Sequence, residues 1–412
     1  MPFDATTPNL DVLLLAAALQ LELSQRDHRV AEKRYQLTPE FLQRPGSSLR
    51  DYMSTAKIYA QGSRAIGATI VHGAADDRFD LDAILEFVTP PGWVPGKVLD
   101  ELYLAFQGFP EVKTIVRCTR CVQLQFAFMH LDVTPMDPAT EPRPERVGDI
   151  YHSRSGEADK RLPVNPYGFA GWFRGQLVPA SQAFIDNARA LRARLEVKDR
   201  LVPGVIVADA DIDDLPDLID PIRDAPQVIA LKLMKRYLNL RYAARNMKRP
   251  VSVYLSKIAV LVGPSPYGLC GQLVAYAKEL DRRMTAALET GHRPDERNPA
   301  FSAESFNDRW PKDTMEMQVF RGDLRHLVRE IERARQSELT EIRKVFDELF
   351  GETVSGRAVQ GYMDGVSGRP GPTPYERGKG FVAAPAILAP ASVAAAPISR
   401  APSHHFHSGL LR

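Results

Sequence analysis

Two aspartates in the first quarter of the chain have a spacing that suits metal chemistry. Asp80 and Asp82 lie two residues apart in the strand-like segment FDLDAI. Side chains of a strand alternate between its faces, so both carboxylates project from one face about 6.6 Å apart. Two carboxylates at that separation can share a divalent-metal centre. An ordinary acidic pair at the start of an exposed strand is the simpler alternative, and the pair alone does not decide between them.

A third carboxylate, Asp132 in HLDVTPMD, favours the metal site. The sequence predicts it at the end of a second strand, on the same parity as the apolar Leu124, Phe126 and Phe128. An aspartate there is costly unless it is paired or binds a metal. Mg²⁺ takes one or two carboxylates and completes its shell with water and substrate phosphate. Two such ions can hold an attacking hydroxyl and a leaving pyrophosphate.

Neighbouring polar residues are not predicted as metal ligands. His130 shares the parity of Asp132, but imidazole suits Mg²⁺ poorly, so we predict a supporting or packing role. Asp76, Asp77 and Asp137 are predicted to be loop residues that add negative charge without binding the metal.

Upstream of the first acidic pair, Gly62 and Ser63 lie in QGSRAIGATI. Glycine lets the backbone approach a ligand, and serine offers an N–H and a hydroxyl to phosphate oxygens, especially where a turn opens a helix. The segment matches neither the Walker loop nor the dinucleotide fingerprint G-x-G-x-x-G. The dipeptide alone is equally compatible with a simple turn, and the downstream carboxylates favour the phosphate site.

A basic strip follows in the second half of the chain. Residues 223–249 contain eight basic residues and a single acidic one. On a helix starting near position 229, the polar residues share a sector of about 100° and apolar residues fill the remainder. Such a helix is predicted to be largely buried, and a buried cationic edge requires an anion, whereas a solvated face is the alternative. The polar residues of that edge are Lys232, Lys235, Arg236 and Asn239.

Just beyond the basic strip, Ser252 follows the break at Pro250 and can cap the next helix, contact a phosphate, or do both.

The elements that must position these residues change character along the chain. Two predicted strands lie among helices in the first half, and the second half is mainly helical, so the sequence predicts an α+β protein. Helices are predicted over about 10–36, 48–60, 95–109, 181–198, 226–247, 251–262, 268–290 and 314–350, and strands over 78–87 and 121–136.

Composition excludes several classes of protein. The 53 basic and 51 acidic residues of the 412 give no sign of a membrane or a stable nucleic-acid partner. Three cysteines cannot form an even disulfide framework and suit the reducing cytoplasm. The apolar run LDVLLLAAALQLEL is too short to span a bilayer and is predicted to be a core-facing helix.

Three further motifs are predicted to have no specific role. In CTRC, Cys118 and Cys121 are expected on opposite faces of a strand, without a metal or redox function. The terminal HHFH is interpreted as part of a disordered tail. The six aspartates of residues 209–220 lack the EF-hand spacing and are interpreted as a solvated loop.

Taken in order, QGSRAIGATI, FDLDAI, LDVTPM, LKLMKRYL and SVYL resemble the cGAS-like nucleotidyltransferases, specifically their bacterial CD-NTase branch. The resemblance covers most of residues 10–350. It implies a polymerase-β-like core with a mixed sheet, followed by a mainly α-helical lobe. Residues 1–160 would form the N-terminal helix and core, 161–355 the helical lobe, and 356–412 a disordered Gly/Pro/Ala-rich tail.

The resemblance also implies roles for individual residues. The family often has Thr directly after the second Gly, whereas Ala68 follows Gly67 here and Thr69 comes one later. The segment 165–173 is similar to an Asn-Pro-led stretch of this branch, with aromatics expected at the lobe junction. Asp80, Asp82 and Asp132 would be the catalytic ligands of two Mg²⁺ ions (Mn²⁺ is possible), while Gln61, Gly62, Ser63, Lys235, Ser252 and, as a helper, Lys232 would bind the triphosphate.

For function, the resemblance implies joining of NTPs, with ATP and GTP foremost, into a cyclic di- or trinucleotide with release of pyrophosphate. It further implies antiphage signalling through a separate effector, with a possible accessory protein at the C-terminal tail. Two alternatives stay open at the level of sequence. One is a nucleotidyltransferase that modifies a tRNA, a protein or an antibiotic, and the other is a non-catalytic scaffold that binds nucleotides or RNA.

Overall fold

The computed structural model describes residues 9–71, 79–139, 144–200, 223–245 and 247–366, and the short strands at 375–376 and 380–381. Residues up to Met363 form one compact unit and the remainder a second. Within the described ranges, each helix is too short or too polar to cross a lipid bilayer. The HHFH motif and the six-aspartate segment lie outside the described residues.

A seven-stranded mixed sheet carries the acidic residues. Its strands are β1 (Lys57–Gln61), β2 (Phe79–Glu86), β3 (Thr114–Arg117), β4 (Val122–Gln125), β5 (Met129–Pro138), β6 (Gly148–His152) and β7 (Lys160–Val164). The main path of the sheet is β1-β2-β5-β4-β3, with β6 pairing with β5 and β7 with β6. The β2–β5 pair is parallel and the other pairs are antiparallel.

Helices supply the rest of the described fold, together with two short hairpins. The predicted mixture of a sheet with a helical second half is confirmed. The helices are α1 (Leu10–Leu19), α2 (Gln25–Leu42), α3 (Gly62–Ala65), α4 (Pro95–Ala105), α5 (Pro166–Gln176), α6 (Gln182–Arg200), α7 (Pro226–Ala243), α8 (Ser252–Leu261), α9 (Gly268–Thr290), α10 (Thr314–Ala334), α11 (Leu339–Phe350) and α12 (Glu352–Val366). The hairpins join β8 (Arg297–Asn298) to β9 (Phe301–Ser305) and β10 (Tyr375–Glu376) to β11 (Gly380–Phe381).

The alternation of apolar and polar residues along β2 and β5 gives the sheet two different faces. Leu81 and Ala83 of β2, with Leu131 and Val133 of β5, are buried in one apolar cluster that also contains residues of α2 and α4. The intervening residues of both strands project from the opposite face, because side chains alternate along a strand. Burial of one face therefore fixes which residues the other face presents.

A second apolar cluster holds the helical lobe together, and α1 belongs to it. Its members include residues of α1, α7, α9, α10 and α11. The helix predicted from LDVLLLAAALQLEL thus faces a core, as expected. That core belongs to the helical lobe, although the helix lies within residues 1–160, which were assigned to the N-terminal helix and sheet. The Asn9 backbone N–H donates to the Tyr362 hydroxyl of α12 at 3.0 Å, so the two ends of the compact unit meet.

Two predicted helices near the N-terminus are wrong. The helix predicted over 10–36 is two helices, because Ser24 caps α2 by accepting from the Asp27 backbone N–H at 3.1 Å. The helix predicted over 48–60 is a short 3₁₀ turn at Arg50–Tyr52 followed by β1. Pairing of β1 with β2 outweighs the helical character of that segment, since tertiary context overrides weak propensities.

Three more boundaries differ from the sequence-based expectation. The strand predicted over 121–136 is the hairpin of β4 and β5, closed by the Phe126 N–H donating to the Met129 carbonyl at 2.9 Å. The helix predicted over 314–350 is interrupted between α10 and α11, where the backbone N–H groups of Gln336 and Ser337 bond back to the last turn of α10. Finally, α12 continues to Val366, so the predicted start of the tail at 356 lies inside a helix.

Charged residues are buried where α6 and α7 meet the segment after α1. Glu22 accepts from Lys232 at 2.6 Å, from Arg192 at 2.9 Å and from Arg223 at 3.1 Å. Burial alone would raise the pKa of Glu22, but Lys232 and Arg192 hold it well below the usual range. Lys232 is 1% exposed, and a buried cation requires an anionic partner. The carboxylate of Glu22 is that partner.

Glu22→Ala is expected to destabilise the protein by about 3–5 kcal/mol, because it leaves the Lys232 ammonium buried without its carboxylate partner. Urea unfolding followed by circular dichroism measures the loss. Glu40→Ala, at an exposed position of α2, is the matched control and should change stability by no more than about 0.5 kcal/mol. Equal effects of the two substitutions would contradict the importance of the buried pair.

Candidate active site

The three predicted carboxylates lie on one face of the sheet. Asp82 of β2 is in register with Asp132 of β5 in the parallel pair, and Asp80 is in register with His130. The carboxylates come together as predicted. The strand on which the prediction rested was drawn wrongly, because Asp132 lies within β5 whereas Leu124 belongs to β4.

Neighbouring polar groups orient two of the carboxylates. The Gln123 side-chain amide donates to Asp132 Oδ1 at 2.9 Å from the adjacent strand β4. His130 Nδ1 lies 3.3 Å from Asp80 Oδ1, which fits the supporting role predicted for this histidine. Both carboxylates are therefore held by side chains of the same sheet face.

Burial, together with the crowding of like charges, raises the pKa values of two of these carboxylates. Burial, followed by the charges of Asp132 and Asp80, raises the pKa of Asp82 to about 7. Burial also raises the pKa of Asp132 to about 6, against the lowering effect of the Gln123 hydrogen bond. Carboxylates disfavoured in this way gain most from a bound cation, since an opposite charge favours the ionised form.

The helical lobe supplies positive charge to this face. Lys235 of α7 is 9% exposed and donates to the Ala68 carbonyl at 2.9 Å. Burial, followed by the nearby charge of Arg249, lowers the pKa of Lys235 to about 8. The positive charges of Lys235 and Arg249 in turn lower the pKa of Asp82, so this part of the predicted basic strip does reach the acidic face.

Gly62 is required by the close approach of its backbone to Asp82. Its φ is +58°, and a Cβ at this position would lie 2.3 Å from Asp82 Oδ2. A side chain here is thus excluded by both conformation and space. The turn continues with the Ala68 N–H donating to the Ser63 carbonyl at 2.8 Å, and the hydroxyls of Ser63 and Thr69 lie 3.3 Å apart. Although Thr69 comes one residue later than in the family pattern, its hydroxyl therefore still lies next to that of Ser63.

A cavity of about 400 Å³ opens beside this turn. Gln61 is held at its edge by a 3.3 Å hydrogen bond from its amide to the Thr134 hydroxyl. Ser252 is the first residue of α8 after the cap position Val251, so it does not cap the helix and its place at the cavity stays compatible with phosphate contact. The predicted residues that line the cavity are Gln61, Gly62, Ser63, Asp82, Asp132 and Ser252, whereas Asp80, Lys232 and Lys235 do not line it.

Metal binding at this face requires ligands beyond the protein. Among the described residues, no three His, Cys, Asp or Glu side chains are arranged to hold one ion. The raised pKa values of Asp82 and Asp132 nevertheless fit a pair of oxygen ligands, because a bound cation would stabilise their ionised forms. Mg²⁺ suits such a pair, because it completes its shell with water and nucleotide phosphate.

The structure corrects the interpretation of CTRC. Cys118 and Cys121 flank the turn between β3 and β4, with the Cys118 N–H donating to the Cys121 carbonyl at 2.9 Å. The neighbouring Cys121 thiol, as a hydrogen-bond partner, lowers the pKa of Cys118 below its ordinary value. The expectation of opposite strand faces is therefore wrong, because the segment is a turn and not a strand. Cys121 also lines the cavity.

Other cavity residues were not found from the sequence. Arg120, in the turn between β3 and β4, forms an ion pair with Asp308 of the helical lobe, and both line the cavity. Glu304 and Arg309 of the same lobe line it too. They lie on short segments without a periodic pattern, so nothing in the sequence indicated them. An aromatic residue of the segment 165–173 does lie at the lobe junction, where Tyr167 packs on Tyr59 of β1 at 5.9 Å between ring centroids.

A sheet face that joins clustered carboxylates to a glycine-serine turn beside a cavity, with the Lys235 ammonium bonded to the Ala68 carbonyl of that turn, is the arrangement of a nucleotidyltransferase. The chain is 32% identical over 397 residues to the cyclic dinucleotide synthase CdnG of Bradyrhizobium diazoefficiens, covering 95% of this chain and 91% of the relative. The chain belongs to the CD-NTase branch of the cGAS-like nucleotidyltransferases, as the motifs predicted.

Solved structures are consistent with this assignment. The structure of the Bradyrhizobium diazoefficiens CD-NTase CdnG in complex with GTP matches with a TM-score of 0.73 and 29% identity, over 86% of this chain and 98% of that one. The apo form of Vibrio cholerae DncV matches with a TM-score of 0.50 and 12% identity, over 85% and 87% of the two chains, and supports the fold alone. The predicted polymerase-β-like core with a helical lobe is confirmed. No family model matches the chain.

Gly62→Ala is expected to abolish pyrophosphate release while the protein stays folded, because the new Cβ displaces Asp82. The matched control is Gly46→Ala: its φ of +83° imposes similar backbone strain, but nothing lies within 4 Å of the added Cβ. Pyrophosphate release and circular dichroism are measured on both variants. Equal activity of the two would show that the close approach to Asp82 is unimportant.

Asp82→Asn is expected to raise the melting temperature of the metal-free protein by a few degrees at pH 8 and to have little effect at pH 4. The folded-state pKa of Asp82 lies above the ordinary aspartate value of 3.8, so the ionised carboxylate destabilises the wild type increasingly as pH rises from about 4 to about 7. Thermal melts with EDTA measure the effect. Asp51→Asn, at an exposed position, is the control, and a gain that did not depend on pH would contradict the argument.

Proposed function

We propose that this enzyme joins nucleoside triphosphates into a cyclic di- or trinucleotide and releases pyrophosphate at each step. The observation that carries the proposal is the in-register pair Asp82 and Asp132, which lies against the Gly62 turn at the wall of the cavity. A relative that covers nearly the whole chain is named a cyclic dinucleotide synthase, and a structural neighbour was solved with GTP. ATP and GTP are the substrates we expect foremost.

The proposed roles follow the geometry. Gln61, Gly62, Ser63 and Ser252 line the cavity and bind the triphosphate of the donor nucleotide. Lys235 supports this site from behind the turn through its bond to the Ala68 carbonyl. We leave Lys232 out of the triphosphate site, because Glu22 already binds its ammonium and it does not line the cavity.

Asp80, Asp82 and Asp132 are proposed to bind two Mg²⁺ ions, with Mn²⁺ as a possible substitute. When bound, the ions acidify the attacking ribose hydroxyl and neutralise the charge that develops on the leaving pyrophosphate. Asp132 is the residue proposed to accept the proton of that hydroxyl, since its carboxylate lines the cavity while the Gln123 amide holds its Oδ1. Gln123 orients this carboxylate throughout.

The biological role proposed for the product is antiphage signalling. A small cyclic nucleotide would diffuse from the synthase and activate a separate effector that damages the cell or the virus. An accessory protein that binds the C-terminal tail is part of the same proposal. These steps are supported by membership of the family and not by any geometry of the chain.

Incubation of the purified protein with Mg²⁺ and the four NTPs should release pyrophosphate and give small products that resist phosphatase. Asp82→Ala and Asp132→Ala should reduce release to background, whereas Asp51→Ala, at an exposed position, should not. Mass spectrometry then identifies the ring size and the bases.

Other outcomes identify the alternatives. Pyrophosphate release with label on tRNA, protein or an antibiotic, and without resistant products, would show a different acceptor. Absence of release with any NTP, together with salt-sensitive RNA binding that persists in the aspartate variants, would show a non-catalytic scaffold.

A further inference from the structure

A carboxylate projects into the cavity from the helical lobe, at Glu304 on β9. The side chain is partly buried and belongs to neither the acidic face of the sheet nor the proposed triphosphate site. An acidic group in a cavity that receives polyphosphate substrates is electrostatically unfavourable unless it meets a different part of the ligand. Its surroundings identify that part.

Two donors fix the Glu304 carboxylate through one oxygen. The backbone N–H of Asn165 donates to Oε2 at 2.8 Å and the side-chain amide of Asn298 donates to the same oxygen at 2.7 Å. Asn298 is 1% exposed and its amide also donates to the Asn165 carbonyl at 2.9 Å. The other oxygen, Oε1, receives no hydrogen bond from the residues that the structure describes. Glu304 thus presents one preoriented acceptor.

The surrounding charges favour a ligand that brings its own N–H or O–H groups. Burial raises the pKa of Glu304, the two asparagine donors lower it, and the charge of Asp308 raises it. The guanidinium groups that line the cavity, Arg120 and Arg309, both lie next to Asp308. A neutral donor group on the ligand can stabilise the ionised carboxylate here, whereas a phosphate cannot.

Guanine has the hydrogen-bonding edge that fits a lone acceptor oxygen. Its N1–H and N2–H groups are adjacent donors. Adenine and cytosine place an acceptor nitrogen beside their amino donor, and that nitrogen would repel the carboxylate. Arginine donors, which the same cavity provides, are the usual partners of guanine O6 and N7.

We propose that Glu304 is a specificity-determining residue that selects guanine, with Oε1 accepting from N1–H and N2–H of a GTP substrate. The inference rests on the proposed function and adds a base preference to it. Asn165 and Asn298 are the positioning residues that turn Oε1 toward the ligand.

Glu304→Gln gives this proposal a directional test. Because the Asn165 and Asn298 donors require an acceptor, the amide oxygen must take the place of Oε2, and the NH₂ group then projects into the cavity. The variant therefore presents a donor where the wild type presents an acceptor, with almost no change of shape. A donor repels N1–H of guanine and matches N1 of adenine.

The experiment measures kcat/KM for GTP, ITP and ATP, each in competition with the others, by pyrophosphate release and mass spectrometry of the products. Wild type should prefer GTP, and should use ITP less well because inosine lacks N2–H. Glu304→Gln should shift the ratio of GTP to ATP use toward ATP by about 10- to 100-fold. Glu157→Gln, a carboxylate-to-amide change outside the cavity, should keep the wild-type ratio.

Failure of the inference can be told apart from failure of the proposed function. Absence of pyrophosphate release by wild type with every NTP would overturn the proposed function and this inference with it. An active Glu304→Gln variant with an unchanged ratio would overturn the inference alone. An equal loss for all three nucleotides would also overturn it, because the carboxylate would then bind ribose or only position Asn165.

Discussion

Carboxylates on adjacent strands of a sheet lie about 4.8 Å apart along the hydrogen-bonding direction, and at that separation they repel one another. The parallel pairing of β2 with β5 places Asp82 and Asp132 in this position. Burial is the main cause of the raised pKa values of both residues, and like charges add to it, from Asp132 and Asp80 at Asp82 and from Asp80 at Asp132. The rest of the site offsets this repulsion, through the Gln123 amide on one side and the cation of Lys235 on the other.

The same constraint explains why the two lobes depend on each other. The sheet alone would present an acidic face without a compensating charge, and α7 alone would bury lysines without anions. The two lysines are satisfied differently: Lys232 has Glu22 as its partner, and Lys235 is close enough to lower the pKa of Asp82. The helix α7 thus stabilises the protein through the Lys232–Glu22 ion pair and places the Lys235 cation near the acidic face.

Residue types and short-range periodicity were sufficient to predict the helical lobe, the strand β2 and the convergence of the carboxylates. Segment ends were predicted poorly, because they depend on local hydrogen bonds such as the Ser24 cap and the Phe126 turn. The cavity residues Glu304 and Arg120 were missed for another reason: no motif marks them, and their positions are set by packing of the lobes. The thiols of CTRC were misplaced because a four-residue turn resembles a strand in its composition.

The meeting of Asn9 with Tyr362 has a topological consequence. Since α1 packs with α7 and α9, the described chain starts in the helical lobe at Asn9, leaves it to form the sheet, and returns to complete it. The sheet that carries the three aspartates is therefore inserted, along the chain, within a helical domain whose described ends are adjacent. Circular permutation that joins Asn9 to Tyr362 would keep the contacts of α1 with the helical lobe, whereas a deletion of α1 would open the lobe that carries Lys235.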